Sequence, residues 1–258
     1  MKNKTFKLIA VLIIISQLST SCRKAKLIDG FTTNNLEIPS TNGNQIVKHF
    51  AYTLQYNEEH EQADWVAYVL TRDEVLSDSF PRTDDFREDP EIISQTANSA
   101  DYSGSGYDRG HLAPAGDMKW SETAMSESFY YSNMSPQTPG LNRGKWETLE
   151  SQVRTWADNY GTLYIATGGV LKSGLTTIGA NKVSVPQMYY KVILDYDNQK
   201  AIGFIMKNMS LTNSLISYSV SVDSVEAVTG IDFFPNLPDV IETTVEKETN
   251  FSKWNFSK

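Results

Sequence analysis

Two runs early in the chain, HFAYTLQY (49–56) and ADWVAYVLT (63–71), are rich in aromatic and β-branched residues and flank the polar stretch NEEHEQ (57–62). The pattern predicts a β-hairpin. Residues 79–107 carry Pro, Asp, Ser and Gly without periodicity, which predicts a long irregular connection of a length usually justified by function. A short helix over about 121–127 and a strand FYYSN (129–133) are expected next. From Leu141 to Asp158 the residues Trp146, Leu149, Val153 and Trp156 recur at steps of three and four, the mark of a helix with one face on a core. Strands are expected at 162–168, 187–196 and 200–207, the last two joined by the turn DYDNQ, followed by helical segments near 212–219 and 221–229. There is no internal repeat, and the tail after about Pro238 reads as polar and loosely ordered.

The N-terminus follows a different pattern. A basic start, MKNKTFK, runs into LIAVLIIIS, which has the length of the apolar segment of an export signal and is too short to span a bilayer comfortably. It ends in LSTSC at Cys22, the only cysteine, so an intramolecular disulfide is impossible. The segment resembles a bacterial lipoprotein signal, cleaved before Cys22 with a lipid placed on its thiol, although Ser19 stands where such signals usually carry an aliphatic residue. An ordinary signal peptide or an uncleaved anchor is the alternative. The expected organisation is a signal over 1–22, a flexible tether over 23–45, a folded domain over 46–240 and a polar tail over 241–258, in a protein exported to the periplasm or outer membrane.

Charge complicates the picture. Loss of residues 1–22 removes Lys2, Lys4 and Lys7 and no acid, taking the formal charge from −8 to −11. A broadly basic surface is the usual footprint of a nucleic-acid protein, so polyanion binding here would need a local arginine cluster and a metal ion.

Of three histidines, His49 starts a strand, His60 sits in the hairpin loop, and His111 lies in SGSGYDRGHLAPAGD (103–117) among glycines and beside Arg109, whose planar fork suits phosphate oxygens. A second cluster lies in SNMSPQTPGLNRGKWETLESQVR (132–154). On a helix, Asn142, Glu150 and Arg154 fall at roughly 0°, 80° and 120°, so one side presents an amide, a carboxylate and a guanidinium. Taken alone, a histidine beside an arginine is more often structural, and Glu150 and Arg154 read better as an ordinary surface pair and Asn142 as a helix cap.

Taken together, DRGH (108–111), NMSPQ (133–137) and LNRGKWETLE (141–150) resemble the DNA/RNA non-specific endonuclease family. YTLQYNEEHEQADWVAYVLT resembles that family's opening hairpin and RTDDFREDP its arginine-bearing loop, so the likeness spans roughly residues 48–230. The resemblance implies an α+β chain with the ββα-metal (His-Me finger) fold, a central antiparallel sheet flanked by helices. It further implies His111 as general base, Asn142 as the sole protein ligand of Mg²⁺ (or Mn²⁺), Glu150 as an acid orienting metal waters, and Arg109 and Arg154 on phosphate. Asp108 completes the motif without an assigned role. Arg82 is the choice for a further phosphate arginine, with Arg87 as rival. The implied activity is metal-dependent hydrolysis of phosphodiester bonds in DNA and RNA, with a membrane tether through the N-terminal lipid.

These residue types suit that chemistry: an imidazole with a pKa of about 6.5 is a base near neutrality, and a hard cation with arginines absorbs phosphoryl charge. No GxSxG, GxxxxGK[ST] or HExxH motif competes, and three scattered histidines with one cysteine argue against structural zinc. The rival reading is a nuclease-like lipoprotein that binds nucleic acid or a partner without cutting, and the acidic charge is the feature in its favour.

Overall fold

The computed structural model describes residues 33–256. In chain order the strands are β1 (Gln45–Lys48), β2 (Thr53–Asn57), β3 (Gln62–Thr71), β4 (Asp108–His111), β5 (Met134–Gln137), β6 (Thr162–Gly169), β7 (Thr177–Ile178), β8 (Val183–Ser184), β9 (Met188–Asp195), β10 (Lys200–Lys207) and β11 (Ser219–Val220). The helices are α1 (Arg72–Leu76), α2 (Ser99–Tyr102), α3 (Glu122–Glu127), α4 (Glu147–Tyr160), α5 (Val222–Thr229) and α6 (Asp239–Glu246). Seven strands form one antiparallel sheet in the order β1-β2-β3-β6-β9-β10-β11, while β4 and β5 pair only with each other. The chain is therefore α+β with a central antiparallel sheet, as expected.

Alternation along the strands assigns the two faces of this sheet. On β10, Phe204 stacks on Trp156 of α4 with ring centroids 6.2 Å apart, whereas its neighbour Gly203 meets Val225 of α5 from the other side. A Cβ at Gly203 would lie 2.6 Å from Val225 Cγ2, so only glycine lets α5 approach the sheet this closely. The same alternation recurs on β9, where Tyr190 packs on Phe233 and Lys191 points toward Trp146. Trp146, Leu149, Val153 and Trp156 are all buried, so the stripe read from the sequence is the face that holds α4 against the sheet.

The structure departs from expectation at several points; His49, for one, starts no strand and lies in the turn between β1 and β2. FYYSN is not a strand: Tyr131–Asn133 form a 3-10 turn, and the strand is the following β5. The cause is Asn133, whose side chain accepts from the Ala113 amide and donates to the carbonyls of Ala113 and Ser128, which pulls the chain into a turn. The helix expected from 141 is two pieces, a π-helical turn Leu141–Trp146 and then α4, with Gly144 non-helical between Asn142 and Glu150. Near 212–219 the chain forms only a short 3-10 turn (Leu215–Tyr218) before β11. Within the described part of the expected tether, Leu36 is buried and Ser40 donates its amide to the Asp232 carbonyl, so the residues from Leu36 on are packed and lead into β1. The tail is also packed, since Trp254 is 2% exposed against Trp156 and the Asn255 carbonyl accepts from Trp156 Nε1 at 2.7 Å. Cys22 and the apolar N-terminal segment lie outside the described residues, among which no helix is long and apolar enough to cross a membrane.

Candidate active site

The β4–β5 hairpin and the helix after it are the frame of the site. β4 carries Asp108, Arg109 and His111, with His111 opposite Met134 in the antiparallel register. After β5 the chain turns into the π-helical segment that presents Asn142, and α4 adds Glu150 and Arg154. The break at Gly144 means the helical-wheel estimate does not apply across this stretch. The three side chains nevertheless line one cavity of about 320 Å³ together with His111, Arg109 and Arg82. An adjoining cavity of about 490 Å³ shares Arg82, Arg109, Asn142 and Arg143, so a groove leads from the site along β4.

The histidines separate cleanly. His49 is held by Asp89 at 2.8 Å and His60 by the Ser184 hydroxyl at 2.8 Å, both buried and structural. His111 lies edge-on to Phe129 at 4.9 Å and near Phe86 at 5.8 Å, and its buried Nε2 has no hydrogen-bond partner. Burial, then the charges of Arg82 and Arg109, push its pKa down from the ordinary histidine value to about 3. The ring is therefore kept neutral, able to accept a proton.

Two phenylalanines carry the nearby arginines. Arg109 lies over the Phe86 ring at 3.8 Å and Arg82 over Phe129 at 4.8 Å, stacking that fixes the planar guanidinium groups. Arg82 also pairs with Asp84 at 2.6 Å. Arg87 is elsewhere: it donates to the Asp85 carboxylate and the Ser126 carbonyl, stacks on Tyr130 and lines neither cavity. Of the two loop arginines, Arg82 alone lines the cavities.

Asp108, left without a role by the sequence, binds both neighbours on the π-helical turn. Its Oδ2 accepts from Asn142 Nδ2 at 2.9 Å and Arg143 Nε at 2.8 Å, and its Oδ1 accepts from Arg143 Nη2 at 2.6 Å. Burial alone would raise the Asp108 pKa, but the hydrogen bonds from Arg143 and Asn142 outweigh it and lower the carboxyl below its ordinary range. An Asn142 nitrogen committed to Asp108 leaves Oδ1 for another partner. An amide oxygen and the Glu150 carboxylate in one cavity are hard oxygen donors of the kind Mg²⁺ accepts, so the residues present fit such an ion.

Arg154 and Glu150 are set from beneath. Arg154 Nη1 donates to Asp117 at 2.9 Å, and Asp117, whose side chain is fully buried, accepts from Tyr68 Oη at 2.9 Å. The guanidinium passes Gly116 so closely that a Cβ there would meet Nη1 at 2.8 Å. Lys191 is wholly buried on β9, 5.2 Å from the Trp146 ring centroid and 3.5 Å from the carbonyl of Leu112 next to His111. Burial raises Glu150 and lowers Lys191, and each charge partly offsets the other's shift. Sequence reasoning missed Asp117, Lys191, Tyr68 and Arg143. Arg143, next to Asn142, and Asp117, at the end of the stretch around His111, had a positional clue.

Comparisons agree with this frame. The family model for DNA/RNA non-specific endonucleases matches residues 29–240. The chain is 34% identical to human mitochondrial endonuclease G over 213 residues, covering 75% of this chain and 70% of that protein. It is 38% identical to nuclease C1 of Cunninghamella echinulata var. echinulata, covering 72% and 81%. It is also 33% identical to a nuclease of Nostoc sp. (strain PCC 7120 / SAG 25.82 / UTEX 2576), covering 81% and 80%. A chain in the crystal structure of an EndoG/EndoGI complex superposes with a TM-score of 0.71 at 32% identity, covering 76% of this chain and 88% of that one. The ββα arrangement of β4, β5 and the following helix, with these likenesses, places the chain in the DNA/RNA non-specific endonuclease family, whose fold it has and whose endonuclease action on nucleic acids it shares.

Proposed function

We propose that this endonuclease is metal-dependent and cuts DNA and RNA with little regard to sequence, with His111 as general base and Asn142 as the protein ligand of Mg²⁺ or Mn²⁺. The observation that carries this reading is that His111, Asn142, Glu150, Arg82, Arg109 and Arg154 line one cavity. A neutral His111 beside two arginines can accept a proton from an attacking water while those arginines hold the phosphate in line. Arg154, braced by Asp117, adds a third donor for charge developing on the phosphoryl oxygens. Asp108 orients the Asn142 amide, and Glu150 faces the same space to accept hydrogen bonds from ion-bound waters. When bound, Mg²⁺ would supply positive charge to the phosphoryl and leaving oxygens. Contacts to phosphate carry no base information, which supports the lack of sequence preference.

The test is supercoiled plasmid and a structured RNA incubated with the purified chain in Mg²⁺ and in excess EDTA. Cleavage of both in Mg²⁺ and of neither in EDTA is expected. Binding without cleavage would establish the non-catalytic reading, and cleavage undiminished in EDTA would remove the metal. We infer further that the chain is exported and lipid-anchored at Cys22 in the periplasm or outer membrane. Cys22→Ser should move it from the membrane to the soluble fraction, and persistent membrane association would refute the anchor.

A further inference from the structure

Away from the cavity, five carboxylates gather where α5, α6 and the loop between them meet. Asp223 and Glu226 come from α5, Asp232 from the loop, and Glu242 and Glu246 from α6. Glu246 belongs to two groups of three, one with Asp223 and Glu226 and one with Asp232 and Glu242, each with carboxylate oxygens within 4.8 Å of one another. α5 lies on the sheet face opposite α4, so this cluster is separate from the site above. Glu242 and Glu246 also lie beyond residue 240, where the match to the family ends.

Exposed acids often cluster without consequence, but Glu246 is not exposed. It is 7% accessible, and its Oε1 is buried with no hydrogen-bond partner. A carboxylate is rarely buried unless it is paired, because desolvation of the charge is costly. Among the described residues no lysine, arginine or histidine forms an ion pair with any of the five. The one evident relief is the Phe233 amide, which donates to Glu226 at 2.8 Å. After burial, the strongest influences on Glu246 are Glu226, Glu242, Asp223 and Asp232, and together they push its carboxyl up to about 9.

A bound cation relieves such a cluster. Oxygens up to 4.8 Å apart suit an ion with metal–oxygen distances of about 2.3–2.6 Å and a flexible shell of six to eight oxygens, which describes Ca²⁺. Mg²⁺ demands shorter distances and octahedral geometry, and two carboxylate triads joined only through Glu246 serve it poorly. We propose that Glu246, the residue common to both triads, centres a calcium site with Asp223 and Glu226 on one side and Asp232 and Glu242 on the other, and that the ion clamps α6 to α5. Its role is structural: the ion fastens the C-terminal helix, which the remainder of the fold contacts chiefly through β10.

Thermal unfolding in EDTA, millimolar CaCl₂ and millimolar MgCl₂ tests this in the wild type, Glu246→Gln and Asp232→Asn. In the wild type Ca²⁺ should raise Tm by on the order of 5 °C over EDTA, with a smaller rise in Mg²⁺. Glu246→Gln should be at least as stable as wild type in EDTA and should lose the extra response to Ca²⁺. The exposed Asp232→Asn, which leaves the buried packing alone, should fold normally and need several-fold more Ca²⁺ for the same shift, so it decides the matter should Glu246→Gln fail to fold. A wild-type Tm indifferent to Ca²⁺, or a Ca²⁺ response that survives intact in both variants, would overturn the site and leave a shared proton as the relief of the cluster.

Discussion

Asp108 accepts the Asn142 amide at 2.9 Å through the same oxygen that holds Arg143 Nε at 2.8 Å, so one carboxylate fixes the orientation of the proposed metal ligand and of a groove arginine together. Asp108→Asn keeps the shape but offers Asn142 a poorer acceptor. Its cleavage rate should fall about 10- to 100-fold, with a higher Mg²⁺ requirement, the usual cost of losing a partner that orients a metal ligand. Asn142→Ala should fall further while its unfolding midpoint stays near wild type. A Mg²⁺ titration of plasmid nicking checks both, and an unchanged half-saturating concentration in Asp108→Asn would sink the orienting role.

His111 should act as a base far below the pH expected of an ordinary histidine. With its pKa down at about 3, the neutral ring persists across mildly acidic pH, so the acid limb of kcat/KM due to His111 should lie below about pH 5. The stability consequence has the opposite sense to that of a paired histidine. Because the folded pKa is below the unfolded one, the unfolded chain takes up the proton first. The associated stability is fully present above about pH 6.5 and is lost as pH falls toward about 3. Urea unfolding of wild type and His111→Gln between those limits should show a steeper pH slope in the wild type, and equal slopes would contradict the buried neutral state. His111→Gly should lose most activity and recover part of it with neutral imidazole.

The two loop arginines should separate function from stability. Arg82→Ala removes a cavity guanidinium and should lower kcat/KM by two orders of magnitude or more with little change in Tm. Arg87→Ala breaks contacts to Asp85, Ser126 and Tyr130 and should lower Tm while kcat stays within a few-fold of wild type. The reverse pattern in the same pair of assays would exchange their roles.

Loss of the tail should destabilise the domain. Trp254 is buried against Trp156 and Tyr160, so Trp254→Ala should cost about 3–5 kcal/mol of unfolding free energy. Chemical denaturation measures this, and a change below about 1 kcal/mol would mean the contact is not maintained in solution.

Periodicity exposed the large sheet and α4 because their apolar positions repeat over many residues. It could not expose β1, a strand of four residues, or the turn at Tyr131–Asn133, which a single asparagine side chain creates against the strand preference of its neighbours. At the site, His111, Arg109, Asn142, Glu150 and Arg154 were legible because they fall in short ordered motifs. Asp117 and Lys191 were not, since their positions matter only after β3, β9 and α4 are packed together, and a buried lysine on a strand has no local pattern. Gly144 likewise read as one helical residue among others until the backbone showed the break.

The seat of Arg109 on Phe86 has an electrostatic consequence for so acidic a chain. A guanidinium fixed by a carboxylate is partly neutralised before substrate arrives, whereas one fixed by an aromatic face keeps its whole charge. Among the described residues no carboxylate lies within ion-pair distance of Arg109, although the charge of adjacent Asp108 is felt there, so β4 displays an unpaired cation beside a neutral imidazole. An acidic protein repels polyanions while this small island attracts them, and that contrast would steer a phosphate strand toward the proposed site.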